Sequence, residues 1–136
     1  MTISLSHTFV TVTDYEEALG FYRDVLGLEV TNDVPFDSFR WVTLSAPTQP
    51  DVAVVLAAPA MGHSPEDAAA ITALLAKGAM NGVIFTIDDV DTTFEKIRVS
   101  GAEVLQEPID QPYGVRDFAF RDPSGNHIRF SSGPKG

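Results

Sequence analysis

The chain has 136 residues, no cysteine, and 19 acidic side chains against nine Lys and Arg, for a formal net charge of −10. That length fits one compact domain able to bury a core, and the missing thiols exclude disulfides, zinc–thiolate sites and cysteine nucleophiles, in agreement with a reducing compartment. The few basic residues are dispersed, so the basic footprint that nucleic acid requires is absent. No apolar run approaches the roughly 20 residues of a membrane span, and Met1 to Val12 has neither a basic start nor an unbroken apolar centre. The expectation is a soluble, cytoplasmic protein with no nucleic-acid or membrane partner.

Residues 5–12, LSHTFVTV, alternate as a strand, with Thr8, Val10 and Val12 on one face and His7, Phe9 and Thr11 on the other. Thr13 or Asp14 can cap a helix, each with a glutamate three residues on, and Gly27 can end it. Ala18, Phe21, Tyr22, Val25 and Leu26 recur along it at helical spacing, a stripe that must lie on a sheet. Leu28–Thr31, Phe39–Leu44 and Val52–Leu56 follow as short strands between loops rich in Pro, Asn, Asp and Ser. The unit is βαβββ, and Pro59 stops it.

Ser64-Pro65-Glu66-Asp67 has the form of an N-cap, a first-turn proline and two carboxylates favoured by the helix dipole, so a helix is expected to Lys77, closed by Gly78. At Gly82 the first pattern restarts. GVIFTIDD reads as a strand, Asp89 as a cap, and Val90, Phe94 and Ile97 as an apolar stripe ended by Gly101. Val104–Gln106, Val115–Arg121 and Asn126–Ser131 supply three more strands, the last two joined by a type I turn at Asp122-Pro123-Ser124-Gly125. The offset between units is nearly constant: Val12 falls on Ile87 and Asp14 on Asp89. The fold class expected is α+β: two βαβββ modules, 3–58 and 81–132, forming a curved eight-stranded mixed sheet, with a linker helix within 59–80.

The segments SHTFVTVTDYEEALGFYRDVLGLEV and FAFRDPSGNHIRF make the chain resemble the vicinal oxygen chelate superfamily, which includes glyoxalase I, extradiol dioxygenases and the fosfomycin- and bleomycin-resistance proteins. The resemblance implies the glyoxalase/bleomycin-resistance fold over a single domain, 1–136. It also implies four metal-ligand positions, on the first and last strands of each module. Only His7 suits its position here. The other three fall at Gly82, at Val55 or one residue from it, and at Arg129, which stands where the family has a glutamate. A divalent ion needs converging N or O donors, and a guanidinium among them opposes it. No metal and no cofactor is therefore expected.

If strand parity holds, the ligand-facing surface receives His7, Phe9 and Thr11; Ala53, Val55 and Ala57; Gly82, Ile84 and Thr86; and His127, Arg129 and Ser131. Such a surface is apolar with a few donors, the usual form of a small-molecule site. Phe39 and Trp41 share one face of their strand, so both enter the pocket or neither does. Gln106 to Gly114 reads as a rigid two-proline loop from which Tyr113 can close the mouth, and Arg116 as a surface ion-pair member or ligand contact. Arg129 needs an anion, either Asp117 or a group on the ligand, because an isolated buried charge is expensive.

The resulting expectation is a metal-independent binder that sequesters an aromatic or conjugated organic compound or antibiotic, as a homodimer, through His7, Phe9, Phe39, Trp41, Val55, Tyr113 and Arg129. The alternatives are an enzyme of glyoxalase or dioxygenase type with an unusual or vestigial metal site, and a structural interaction module.

Overall fold

The computed structural model describes residues 1–133, arranged in two compact units, Met1–Ala73 and Leu74 onward. Each unit holds one four-stranded mixed sheet, and the eight expected strands are all present.

In the first unit, β1 (His7–Thr11), β2 (Glu29–Phe36), β3 (Phe39–Ser45) and β4 (Ala53–Ala57) are ordered β1-β4-β3-β2. β1 runs parallel to β4 and the other neighbours are antiparallel. Helix α1 (Tyr15–Leu19) starts at Asp14, whose carboxylate accepts from the Glu17 amide, and so uses the second of the two expected caps. It continues as a π-helical stretch, Gly20–Val25, in which the Leu26 amide reaches back five residues to the Phe21 carbonyl. The wider turn moves the apolar stripe out of phase. Ala18, Leu19, Phe21 and Tyr22 are buried with Val10, Val12, Val42 and Leu44, whereas Val25 and Leu26 are only half-buried.

The second unit repeats the order with β5 (Asn81–Thr86), β6 (Glu103–Asp110), β7 (Arg116–Arg121) and β8 (His127–Ser131), arranged β5-β8-β7-β6 with β5 parallel to β8. Helix α3 (Val90–Val99) begins at Asp89, whose carboxylate accepts from the Thr92 amide, the counterpart of the Asp14 cap. Phe94 of α3 meets Phe118 and Phe120 of β7, each at 5.3 Å between ring centroids, and Phe118 stacks on Phe130 of β8 at 5.0 Å. These rings form the core on one side of the sheet. Helix α2 (Pro65–Ala76), capped by Ser64 at the Asp67 amide, links the two repeats.

Two elements are longer than expected. β2 extends to Phe36 rather than ending at Thr31, and β6 takes in Gln106 to Asp110, so the first half of the expected two-proline loop is strand. Both lie at the outer position of their sheet, where Pro35 and Pro108 leave no interior ladder bond unmade. The register of β6 shifts twice against β7, between Val104 and Gln106 and again before Ile109, which accommodates the proline.

Candidate functional site

The open face of the first sheet is set by the alternation of β1. Val10 is 2% exposed on one face, whereas Phe9, one residue earlier, is 59% exposed on the other. Phe36 and Trp41 join it because β2 and β3 form a hairpin around the two-residue turn Asp37-Ser38, with Asp37 in the left-handed region at φ 53°. Trp41 stands opposite Val34, which makes Phe36 its diagonal neighbour on the same face. The Trp41 ring meets Phe9 edge-on at 6.0 Å and Phe36 at 5.9 Å with a 56° tilt.

Those three rings and Thr11 line a cavity of about 420 Å³. The rest of its lining comes from the end of β4 and the segment that follows: Ala57, Ala58, Met61, Gly62 and His63. That segment is folded back on itself by bonds from the Met61 amide to the Ala58 carbonyl and from the His63 amide to the Ala60 carbonyl. The His63 ring is fixed in turn by a hydrogen bond between Nδ1 and the Pro59 carbonyl, 3.0 Å.

Of the residues singled out in the sequence, Phe9 and Trp41 are brought together here. Phe39 shares the face of Trp41 but flanks the hairpin turn and lies outside the lining, so the two do not enter together. Val55 pairs with Phe9 in register yet is fully buried, and β4 joins the lining only two residues further along, at Ala57. His7 is exposed at the far end of β1, its Nδ1 2.9 Å from the Ser6 hydroxyl. Phe36, Met61 and His63 escape sequence reasoning, because the strand signal of β2 fades after Thr31, five residues early, and the chain after Pro59 reads as linker. A two-residue turn flanked by Phe36 and Phe39 was the signal available.

Tyr113 and Arg129 belong to a different constellation, in the second unit. Asp117, 1% exposed, is the centre of it. Its carboxylate accepts from Gln106 Nε2 and Gln111 Nε2, each at 2.8 Å, and from the Tyr113 hydroxyl at 3.3 Å, and it lies 3.2 Å from Arg129 Nη1. Arg129 also donates from Nη1 to Gln106 Oε1 and faces His127 Nε2 with Nη2 at 3.2 Å. Of the two anions considered for Arg129, Asp117 is therefore the one it pairs with. Arg116 takes the surface ion-pair alternative, with Asp91 at 2.9 Å and Asp110 at 3.4 Å.

Burial pushes the Asp117 carboxyl up, but the hydrogen bonds from Gln111 and Gln106, with the Arg129 charge, outweigh it and hold the group below its ordinary value. Burial lowers the His127 imidazole, and the charges of Arg129 and Arg121 lower it further, which keeps Nε2 a lone pair facing Arg129. Both shifts have the same sign for stability. The unfolded chain binds protons more readily at each site, so stability rises with pH just below the ordinary histidine value and, separately, just below the ordinary carboxylate value. The melting temperature is expected to climb as pH rises toward the ordinary histidine value of about 6.5, and His127→Gln to flatten that slope. Calorimetric scans across this window check it; an unchanged slope in the variant would contradict the assignment.

The donor set does not fit the divalent ion of the metalloenzymes. Val55 is hydrocarbon, Arg129 is a cation already paired, and Gly82 has no side chain to ligate with, a Cβ there meeting Ile128 Cδ1 at 2.4 Å and the His127 carbonyl oxygen at 3.0 Å. Among the described residues no three His, Asp or Glu side chains converge.

The crystal structure of UcmS2 is similar to this chain at 31% identity and TM-score 0.90, over 98% of this chain and all of that one. TnmS3, described as an antibiotic binding protein from Streptomyces sp. CB03234, is 30% identical with TM-score 0.74 over 96% of each chain. A probable lactoylglutathione lyase from Synechocystis is 28% identical over 127 residues, 91% of either chain. The model of the Glyoxalase/Bleomycin resistance protein/Dioxygenase superfamily matches residues 4–130, and the chain belongs to that family.

Proposed function

We propose that this protein binds and sequesters a planar aromatic or conjugated organic compound, an antibiotic among the candidates, without a metal and without converting it. The observation that carries this is the cavity walled by Phe9, Phe36 and Trp41. Aromatic rings stack or meet edge-on with other rings, and a cavity of about 420 Å³ lies in the range of small-molecule sites. A ligand of about 20–25 heavy atoms at about 0.3 kcal/mol each binds with about 6–8 kcal/mol, in the micromolar to tens-of-micromolar range. The similarity to an antibiotic binding protein supports the same reading.

Equilibrium dialysis against flavonoids, quinones and other planar aromatic antibiotics, followed by mass analysis of the recovered compound, tests it. Retention of an unchanged compound is expected. The similarity to a probable lactoylglutathione lyase favours an enzyme as the second reading. Titration of purified protein with Ni, Zn, Mn and Fe(II) separates the two, because one tightly held equivalent accompanied by turnover belongs to the enzyme.

The proposal includes a cytoplasmic homodimer. Leu74 of α2 is 37% exposed and supplies apolar surface for such a contact. Among the described residues no helix is long and apolar enough to cross a membrane. Sedimentation at micromolar protein should give the mass of two chains; the mass of one would remove the dimer.

A further inference from the structure

The cavity offers few polar groups, and their chemistry narrows the ligand. Most of the lining, from Phe9, Phe36 and Trp41 to Ala57, Ala58 and Gly62, presents no side-chain acceptor, and Met61 sulfur is a weak one. Thr11 carries a hydroxyl that serves as donor or acceptor, and Trp41 an indole N–H that only donates. His63 differs from all of these. Its Nδ1 is 3.0 Å from the Pro59 carbonyl, which can only accept, so Nδ1 carries the proton. In the neutral ring, Nε2 is then a lone pair with no donor character. The backbone of Ala58–His63, tied by its two turn bonds, holds the ring in this tautomer.

We infer that His63 Nε2 is the selectivity element of the cavity and that the compound taken up carries a hydroxyl placed to donate to it, as a phenol or hydroxylated polycycle does. This rests on the sequestration reading above and names the class of compound within it. His63 is exposed, so water competes for Nε2, and the net gain is that of an ordinary hydrogen bond. The effect is a preference of about three- to tenfold rather than an all-or-none requirement.

The test uses 6-hydroxyflavone and 6-methoxyflavone, which differ by a donor, with flavone as the unsubstituted reference, titrated against full-length protein and His63→Phe. The readout is the ratio of the two substituted flavones' affinities. That ratio is expected to shift toward 6-methoxyflavone by about three- to tenfold in the variant, the equivalent of one lost hydrogen bond. Far-UV circular dichroism identical to that of the parent confirms that the exposed substitution leaves the fold intact. A ratio unchanged by His63→Phe, with all three flavones still bound, overturns the hydroxyl inference while the sequestration reading stands. Failure of all three to bind either protein overturns both for planar polycycles of this size.

Discussion

Gly125→Ala is expected to destabilise the second unit by about 3–5 kcal/mol, the sum of a left-handed backbone strain and an overpacking penalty. Gly125 has φ 112°, and a Cβ on it would fall 2.0 Å from the Leu75 carbonyl oxygen and 2.9 Å from the carbonyl carbon. The obstruction is helix backbone, which cannot swing aside as a side-chain tip can. The turn around Gly125 is also heavily tied. Asp122 Oδ1 accepts from the amides of Ser124, Gly125 and Asn126 at 2.8–3.0 Å, and Arg121 Nη1 donates to the Gly125 carbonyl at 2.9 Å. Relief by moving the turn would therefore break several bonds at once. Gly27→Ala is the control: its φ of 80° is also positive, but nothing lies within 4 Å of the added methyl. It should lose only the backbone part, about 1–2 kcal/mol. Urea unfolding of the two variants separates the effects, and equal losses would show that the approach of Leu75 to the turn is looser than described.

Arg129→Ala is expected to lower stability by about 2–3 kcal/mol and to leave ligand affinity within about twofold. Removing one member of a buried ion pair strands the other, and Asp117 is 1% exposed. The loss falls below that of a fully buried pair for two reasons. The Arg129 side chain is 25% exposed, and Gln106, Gln111 and Tyr113 still donate to the carboxylate. Asp117→Asn should reproduce much of the loss, since it removes the negative charge while leaving Arg129 in place. The two substitutions share one interaction, so the double variant should lose less than the sum. Thermal melts of the three proteins check this, and additive losses would mean that the pair contributes no coupling.

The repeat was legible because it is written in residues with few alternative uses. Asp14 and Asp89 cap their helices in the same geometry, and Gly27 and Gly101 follow each helix at φ 80° and 93°. Alternation placed Phe9 on the open face, and cross-strand reasoning placed Asp117 among the partners of Arg129. The cavity as a whole was not legible. Asn32, Asp33 and Pro35 weaken the strand signal of β2, although an outer strand tolerates them, and Phe36 was lost with it. His63 lies beyond a proline in a segment whose turns depend on backbone bonds between neighbours, and no residue pattern announces those. Phe39 and Val55 show the limit of parity: it assigns a face, but exposure along that face is decided by what covers each residue.

Trp41 is the single tryptophan of the chain and sits in the cavity wall, so its emission reports directly on occupancy. Fluorescence titration with the compound retained in dialysis should change Trp41 emission saturably, with the same dissociation constant as dialysis gives. Phe36→Ala, which removes a neighbouring ring 5.9 Å from Trp41, should weaken that constant at least about tenfold, as loss of a ring contact and its buried area requires. A compound that binds by dialysis with unaltered Trp41 emission and unaltered affinity in Phe36→Ala would place the ligand elsewhere and contradict the assignment of this cavity.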